Sequence, residues 1–145
     1  MRTSNQNCVL YVEDDADHAE LVLRSLERHG TRAGVVHVGD GEAALEYLDK
    51  SEREEVPRPR LILLDLRLPK VDGLDVLRVV KTSRTFAAIP VVILTTSANG
   101  QDISHAYEHH VNSYLVKPND FAALEAMVQE LGDYWLVLNT QGAEH

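Results

Sequence analysis

A charged residue directly follows an apolar run in the middle of the chain. The residues "LILL" (61–64) are all aliphatic, and Asp65 comes next. Such a run is typical of a parallel strand that is covered on both faces, yet a carboxylate loses favourable hydration beside it. A carboxylate held at the end of a rigid strand can act as a nucleophile or as a ligand for a cation. Asp65 is therefore the first candidate functional residue.

Further polar residues lie at or near the ends of other apolar runs. They are Glu13 and Asp14 after 8–12, Thr95 near the end of 89–96, and Lys117 near the end of 113–118. Three carboxylates at one point would repel one another, and Mg²⁺, which prefers hard oxygen ligands, would relieve the repulsion. A simpler interpretation of Asp14, together with Asp15 and Asp17, is that these acids cap or favourably charge a helix terminus.

The charges of these residues balance when a divalent cation is added. Three carboxylates, the cation and the ammonium group of Lys117 sum to zero. A phosphoryl group joined to Asp65 replaces one negative charge by two, and the site then carries one net negative charge. The hydroxyl of Thr95 and free backbone amides could stabilise the added oxygens. This balance suits a reversible covalent modification.

Apolar runs alternate with helix-like patterns along the chain. After each run, apolar residues recur at the i, i+3, i+4, i+7 spacing of an amphipathic helix. Strict alternation predicts right-handed crossovers and a parallel sheet with helices on both faces. The predicted strands are 8–12, 32–38, 61–65, 89–96 and 113–118, and the helical patterns begin near 19, 41, 73, 103 and 120.

The resulting fold is a doubly wound α/β domain, (βα)5, with the strand order 2-1-3-4-5. In this arrangement the carboxyl ends of the first, third and fourth strands come together, and ligand sites lie beyond those ends. The carboxylates that follow the first and third strands would then form one cluster. We expect a single domain over 1–145, with a core over about 8–131 and a C-terminal helical extension over 132–145.

Composition excludes several classes of function. The 145 residues carry a net charge of −9, which argues against non-specific nucleic-acid binding, and the short basic segment "PRPR" (57–60) is interpreted as loop. A single cysteine, Cys8, permits no intrachain disulfide and fits a reducing cytoplasm. No apolar run approaches the roughly 18 residues of a membrane span, and the N-terminal residues have no apolar signal segment. We therefore expect a cytoplasmic protein with no membrane or nucleic-acid partner.

Taken together, the strand-end motifs resemble the receiver domain of two-component response regulators. The motifs are "VED" (12–14), "LLD" (63–65), "LTT" (94–96) and "YLVKP" (114–118). Thr95 and Lys117 follow Asp65 by 30 and 52 residues, as in the family, and "LRLPKVDG" (66–73) resembles the family's loop after the phosphorylated aspartate. The resemblance extends from residue 8 to about 131 and implies the CheY-like fold.

The resemblance implies a role for each strand-end residue. Asp65 would accept a phosphoryl group from a sensor histidine kinase, and Thr95 and Lys117 would contact that group. The chain would act as a signalling protein that catalyses only its own phosphorylation and dephosphorylation. It would also have a Mg²⁺ site, which Mn²⁺ or Ca²⁺ could occupy in vitro, formed by Glu13, Asp14, Asp65 and the backbone carbonyl of Arg67.

Two further features follow from the same resemblance. Tyr114 corresponds to the family's switch aromatic, which turns inward when Thr95 is drawn toward the phosphoryl group; the alternative is an ordinary strand aromatic. The Lys117–Pro118 peptide bond is expected to be cis, a geometry that is rare without proline.

Two positions that influence hydrolysis in the family hold Arg67 and Ser97. Arg67 could shield the phosphoryl group, pair with an acidic residue of a partner protein, or remain in solvent. The sequence leaves these alternatives open.

The upstream partner and a homodimer are predicted from finer features, whereas the sequence does not identify a downstream phosphotransfer or effector protein. The long loop before residue 61, the run "YEHHVNSYLVKP" (107–118) and the late tryptophan resemble small response regulators paired with phytochrome-type histidine kinases. We expect a stand-alone receiver. The apolar residues from Phe121 to Leu138 recur at helical spacing on one continuous face. Trp135 and Leu138 lie at the end of this face, where the helix is expected to project beyond the domain. An exposed apolar cluster there predicts a homodimer through the fourth helix, fifth strand and fifth helix, or through the extension. The alternative is a terminus folded back on its own domain.

Other functions fit the sequence less well. Phosphatases of the haloacid dehalogenase type need a second aspartate two residues after the nucleophile, where this chain has Arg67. A flavodoxin would need a phosphate-binding first loop, whereas "EDDAD" (13–17) would repel phosphate unless it held a metal ion. A non-phosphorylated pseudo-receiver acting as a binding module is the main alternative, but such chains usually lose an acid or the lysine. His105 and His109 have a spacing used by metal sites, although a solvated or interface role is favoured.

Overall fold

The computed structural model describes residues 8–27 and 34–138 of the chain. The predicted alternation of strands and helices is confirmed throughout these ranges. Residues 32–33 of the predicted second strand lie outside them. The elements are β1 Val9–Val12, α1 Ala16–Glu27, β2 Val35–Val38, α2 Gly41–Glu52, β3 Leu61–Leu64, α3 Gly73–Thr82, β4 Val91–Thr95, α4 Gly100–Glu108, β5 Ser113–Val116 and α5 Phe121–Gly132, followed by a π-helical segment Asp133–Leu138.

The five strands form one parallel sheet in the predicted order β2-β1-β3-β4-β5. The register pairs Val12 with Leu64, so β1 and β3 end at the same level. The next residues stay in the ladder: Glu13 N–H donates to Val38 O at 3.0 Å, and Asp65 N–H donates to Val12 O at 3.1 Å. The backbone of the two carboxylate-bearing positions is thus fixed by the sheet.

Alternate residues of the central strands enter two apolar layers, because successive side chains of a strand point to opposite faces. In β3, Ile62 and Leu64 pack with α2, α3 and α4, whereas Leu61 and Leu63 pack with α1 and α5. All four side chains are buried. This explains why the "LILL" run has no polar alternation, since both faces of β3 are covered.

The loop between β3 and α3 is pressed between two helix beginnings. Gly41 is the first residue of α2, and a Cβ atom there would overlap the backbone of Val71. Gly73 is the first residue of α3, and a Cβ atom there would overlap the backbone of Asp65 and Leu66. Gly73 N–H also donates to Leu66 O at 2.8 Å. Glycine at both positions allows the loop to lie against helix backbone on two sides.

The C-terminal helix differs from the prediction of one continuous apolar face. Leu124, Val128 and Leu131 are buried, but Phe121 is 52% exposed and contacts His18 edge-on. Apolar spacing cannot show where such a face runs past the edge of the sheet it covers.

No helix in the two described ranges combines the length and the apolar character needed to cross a membrane.

Candidate functional site

Asp65 lies at the end of β3 with its carboxylate nearly buried. Its side chain is 11% exposed. Oδ1 accepts a hydrogen bond from Leu66 N–H at 2.7 Å, and Oδ2 lies 3.5 Å from Lys117 Nζ. One carboxylate oxygen is therefore oriented by the backbone, and the other faces the ammonium group of Lys117.

Lys117 forms a buried ion pair with Glu13. Its Nζ lies 2.5 Å from Glu13 Oε1, and each side chain is 1% exposed. His18 Nδ1 lies 3.0 Å from the same Nζ. Breaking such a pair by removing one member leaves a buried charge unpaired, so Lys117 is a fixed part of the site.

Burial raises the pKa of Glu13 to about 7 even though the Lys117 ammonium stabilises its charged form. The negative charge of Asp65 raises the Glu13 pKa further. Two carboxylates that compete in this way are the arrangement that a divalent cation stabilises, because it offsets their repulsion.

Glu13, Asp14 and Asp65 could hold a metal ion together, since each offers a carboxylate oxygen within 4.8 Å of the others. Glu13 and Asp65 are buried, whereas Asp14 is exposed. An all-oxygen donor set of this kind fits Mg²⁺ or Mn²⁺ and leaves positions for water. His105 and His109 do not belong to any metal-binding group of three or more residues in the described ranges.

Asp15 has the capping role that the sequence suggested for it. Its Oδ1 accepts from Asp17 N–H at 2.9 Å and from His18 N–H at 3.1 Å, at the start of α1. The hydrogen bond from His18 N–H lowers the pKa of Asp15. The helix-terminus interpretation thus applies to Asp15, and Asp14 joins the carboxylate group.

Thr95 and Tyr114 lie on β4 and β5, on the side of Asp65 opposite β1. Thr95 is buried, and its Oγ1 lies 3.4 Å from Ser97 N, which donates to it. Tyr114 O–H donates to Ser97 O at 2.9 Å. Partial burial raises the pKa of Tyr114, so its hydroxyl stays protonated and remains a donor.

The prediction of a cis peptide bond between Lys117 and Pro118 was wrong. Within the described residues all peptide bonds are trans, including Lys117–Pro118. An X–Pro bond favours trans by only about 0.5–1 kcal/mol, so sequence alone does not determine the isomer. Lys117 N–H donates to Thr95 O at 2.7 Å, so the residue before the bond is held by β4.

Arg67 and Ser97 meet at a residue that the sequence did not single out. Arg67 Nη2 and Ser97 Oγ each donate to Asp102 Oδ2 at 2.6 Å. In the unmodified protein, the acid that pairs with Arg67 thus belongs to the same chain. The only sequence signal for Asp102 was an acidic residue in the first turn of a helix, where such residues are common for local reasons.

Of the two predicted interface residues, the structure describes the side chain of Trp135 but not that of Leu138. Trp135 packs partly against the core and contacts Tyr134 edge-on, with ring centroids 5.0 Å apart. It does not project as expected; Tyr134 and Val137 do, with 51% and 61% exposure. The Leu138 side chain lies outside the described part of the chain. The π-helical turn of 133–138 explains the change, because it rotates the apolar positions away from the α-helical spacing.

Comparison with known proteins gives consistent matches over this fold. The family of response regulator receiver domains matches residues 9–129. The probable methanogenesis regulatory protein FilR2 of Methanothrix harundinacea is 49% identical, over 90% of this chain and 84% of its own length. Response regulator Rcp1 of Synechocystis sp. is 43% identical, over 88% of each chain.

Solved structures agree with the sequence relatives. The Mn²⁺-bound form of Rcp1 superposes with a TM-score of 0.89 at 41% identity, covering 94% of this chain and 99% of that one. The phosphorylated cyanobacterial phytochrome response regulator RcpA superposes with a TM-score of 0.90 at 38% identity, covering 95% of this chain and 99% of that one. The resemblance read from the strand-end motifs is confirmed.

Proposed function

The chain belongs to the response regulator receiver domain family, and we propose that Asp65 is the residue on which it is phosphorylated by a histidine kinase. The observation that carries this assignment is the position of the Asp65 carboxylate. It lies within one carboxylate group with Glu13 and Asp14, and 3.5 Å from the ammonium of Lys117. A nucleophile at a strand end, a cation site and a fixed positive charge are the parts that phosphoryl transfer requires.

In the proposed transfer, an Asp65 oxygen attacks the phosphorus of the kinase's phosphohistidine. The new O–P bond forms as the P–N bond breaks, and the electron pair of that bond returns to the imidazole nitrogen of the donor. Glu13, Asp14, Asp65 and the backbone carbonyl of Arg67 would hold a divalent cation, which would supply positive charge for the phosphoryl oxygens. Lys117 pairs with one of those oxygens, and the Thr95 hydroxyl donates to another. The chain thus catalyses its own phosphorylation and dephosphorylation and acts on no external substrate.

The proposed output begins at Thr95. When its hydroxyl turns to the phosphoryl group, it leaves Ser97 N–H, and the segment after β4 moves. Tyr114 then exchanges its hydrogen bond to Ser97 O for an inward position beside β4. Phosphorylation favours the inward arrangement of Tyr114 by the difference in free energy of these contacts between the two arrangements.

The partner kinase is proposed from the relatives. RcpA is a cyanobacterial phytochrome response regulator, which supports a phytochrome-type histidine kinase and a light signal for this chain. FilR2 is a probable methanogenesis regulatory protein, so related receivers serve different signals. The general proposal is therefore a histidine kinase partner, and the specific proposal is a phytochrome-type kinase that responds to light. A phosphoryl group that originates in ATP supports a cytoplasmic location for the chain.

Self-association is the second part of the proposed output. Tyr107 and Phe121, on α4 and α5, are 51% and 52% exposed, and Tyr134 and Val137 extend the apolar surface along the C-terminal turn. A homodimer through α4, β5 and α5, or through the 133–138 segment, would cover these side chains. Sedimentation at high concentration, with and without phosphorylation, tests it; monomer alone in both states excludes the dimer.

The main experiment is incubation of the protein with Mg²⁺ and acetyl phosphate, followed by intact mass measurement. We expect the wild type to gain one phosphoryl group and Asp65→Asn to gain none, because the amide is not a nucleophile. Asp15→Asn is the matched control, since Asp15 lies near the cluster but caps α1, and it should be labelled like the wild type. The pseudo-receiver alternative is favoured instead if the wild type is not labelled. Equal labelling of Asp65→Asn would show that another residue is the acceptor.

A further inference from the structure

Asp102 joins the two loops that border Asp65. Its Oδ2 accepts from Arg67, in the loop after β3, and from Ser97, in the loop after β4. The Asp102 side chain is 11% exposed, although it lies in the first turn of α4. A carboxylate that gives up most of its water needs such donors, so these two hydrogen bonds determine its position.

The same carboxylate is connected to the groups that respond to Asp65. Ser97 N–H donates to Thr95 Oγ1, and Ser97 O accepts from Tyr114 O–H. Asp102 therefore holds the side chain of a residue whose backbone contacts both Thr95 and Tyr114. Its other donor, Arg67, follows Asp65 by two residues.

Arg67 has two acids within its reach. Residues two apart along a chain have Cα atoms at most about 7 Å apart, a span that an arginine side chain can cover. In the unmodified protein the guanidinium pairs with Asp102. After phosphorylation, Asp65 carries phosphoryl oxygens, which guanidinium groups bind strongly and in a bidentate manner. The Arg67 side chain is 62% exposed, so moving it from one acid to the other requires little desolvation.

Resting on the proposed function, we propose that Asp102 is a positioning residue that sets the lifetime of the acyl phosphate on Asp65 by holding Arg67 away from it. During hydrolysis, a water oxygen attacks phosphorus and the P–O bond to Asp65 breaks. Asp65 regains its carboxylate, phosphate leaves, and one proton passes to solvent. With Arg67 on Asp102, the open face of the phosphoryl group is accessible to that water. With Arg67 on the phosphoryl oxygens, the face is covered and the acyl phosphate is stabilised.

The test is a double-mutant cycle on the decay of the phosphorylated full chain. Wild type, Asp102→Asn, Arg67→Gln and the double variant are labelled with acetyl phosphate and Mg²⁺, freed of donor, and followed by intact mass. We expect Asp102→Asn to decay about three- to tenfold more slowly than the wild type, which lies within the range of coupling between residues in direct contact. Arg67→Gln and the double variant should decay at the same rate as each other, because Asp102 acts through Arg67.

Three further variants separate positioning from a structural role. Asp75 is also the third residue of its helix, α3, and pairs with Arg78 of the same helix at 3.4 Å. Asp75→Asn removes the same charge at the same helical position and should decay like the wild type. Asp102→Glu keeps a carboxylate for Arg67 and should restore most of the wild-type rate. Asp102→Ser repeats the neutralisation with a smaller side chain in case the asparagine variant does not fold.

Each result has one meaning. Equal decay of wild type and Asp102→Asn, or a change of the same size with and without Arg67, overturns the role of Asp102. Faster decay of Asp102→Asn overturns the direction and therefore the mechanism. If the wild type is labelled and the cycle shows no coupling, only this inference fails. If the wild type is not labelled at all, the proposed function fails, and the role of Asp102 fails with it.

Discussion

α3 and α4 begin with the same residue types but meet different surroundings. Each has glycine at its first position and aspartate at its third. A Cβ atom on Gly73 would overlap the backbone of Asp65, whereas one on Gly100 would have nothing within 4 Å. At the third position the contrast is reversed: Asp75 is exposed and pairs within its own helix, while Asp102 is nearly buried and holds two loops.

The difference separates a fixed side of the site from an adjustable one. On the α3 side, backbone atoms pack against backbone atoms, and such contacts cannot exchange partners. On the α4 side, side-chain hydrogen bonds to Asp102 and from Tyr114 hold the loop, and these can be replaced one at a time. A receiver needs both properties, because the acceptor must stay in place while the output surface changes.

The strongest way to break this comparison is to add one methyl group at each helix beginning. Gly73→Ala forces backbone apart beside Asp65, and we expect it to lower the free energy of unfolding by about 2 kcal/mol and to slow labelling of Asp65. Gly100→Ala has open space and should stay within about 0.5 kcal/mol of the wild type. Urea denaturation measures both. Equal losses at the two glycines would show that the α3 side is no more constrained than the α4 side.

A change of pH should affect cation binding at the carboxylate group of Glu13, Asp14 and Asp65, and not the loop that Asp102 holds. Because the pKa of Glu13 is about 7, a cation must displace a proton from Glu13 below that pH. We expect the apparent affinity for Mn²⁺ to fall about tenfold from pH 8 to pH 6, measured by calorimetric titration. Asp102→Asn should keep this dependence, and Glu13→Gln should bind more weakly and lose it. An affinity that is constant over this interval contradicts the role of Glu13.

The same shift has a consequence for the cation-free protein. The Glu13 pKa lies above its ordinary value of 4.5, so between these pH values the folded state holds a proton that the unfolded chain has lost. The contribution of Glu13 to the free energy of unfolding therefore decreases as pH rises from about 4.5 to about 7.

The smallest expected effect is on the adjustable side. Tyr114→Phe removes the hydrogen bond to Ser97 O and should lower the free energy of unfolding by about 1 kcal/mol without changing the labelling of Asp65. Amide hydrogen exchange should become faster at the start of α4 and stay the same at the start of α3. Faster exchange in both helices would mean that Tyr114 supports the whole site and not one side of it.

The sequence predicts the fixed side better than the adjustable one. Uniformly apolar runs identify strands covered on both faces, and the residue after such a run lies at the carboxyl end of the sheet, so Glu13 and Asp65 could be placed from the runs before them. The contacts of Asp102 depend on how two loops pack in three dimensions, which has no periodic signature. The isomer before Pro118 and the π-helical turn after α5 depend on small free-energy differences that local sequence does not determine.

The glycines on either side of the loop between β3 and α3 also affect how related signalling pathways remain separate from one another. Gly41 and Gly73 hold that loop through its main chain, whereas Pro69 and Lys70 face solvent. Lys70 Nζ lies 3.8 Å from Asp40, the N-cap of α2, and 3.6 Å from Glu42 in its first turn. Kinase recognition can thus diverge by exchanging these outward side chains while the acceptor geometry is inherited unchanged. Duplicated copies of such a protein could acquire separate kinases without rebuilding the site.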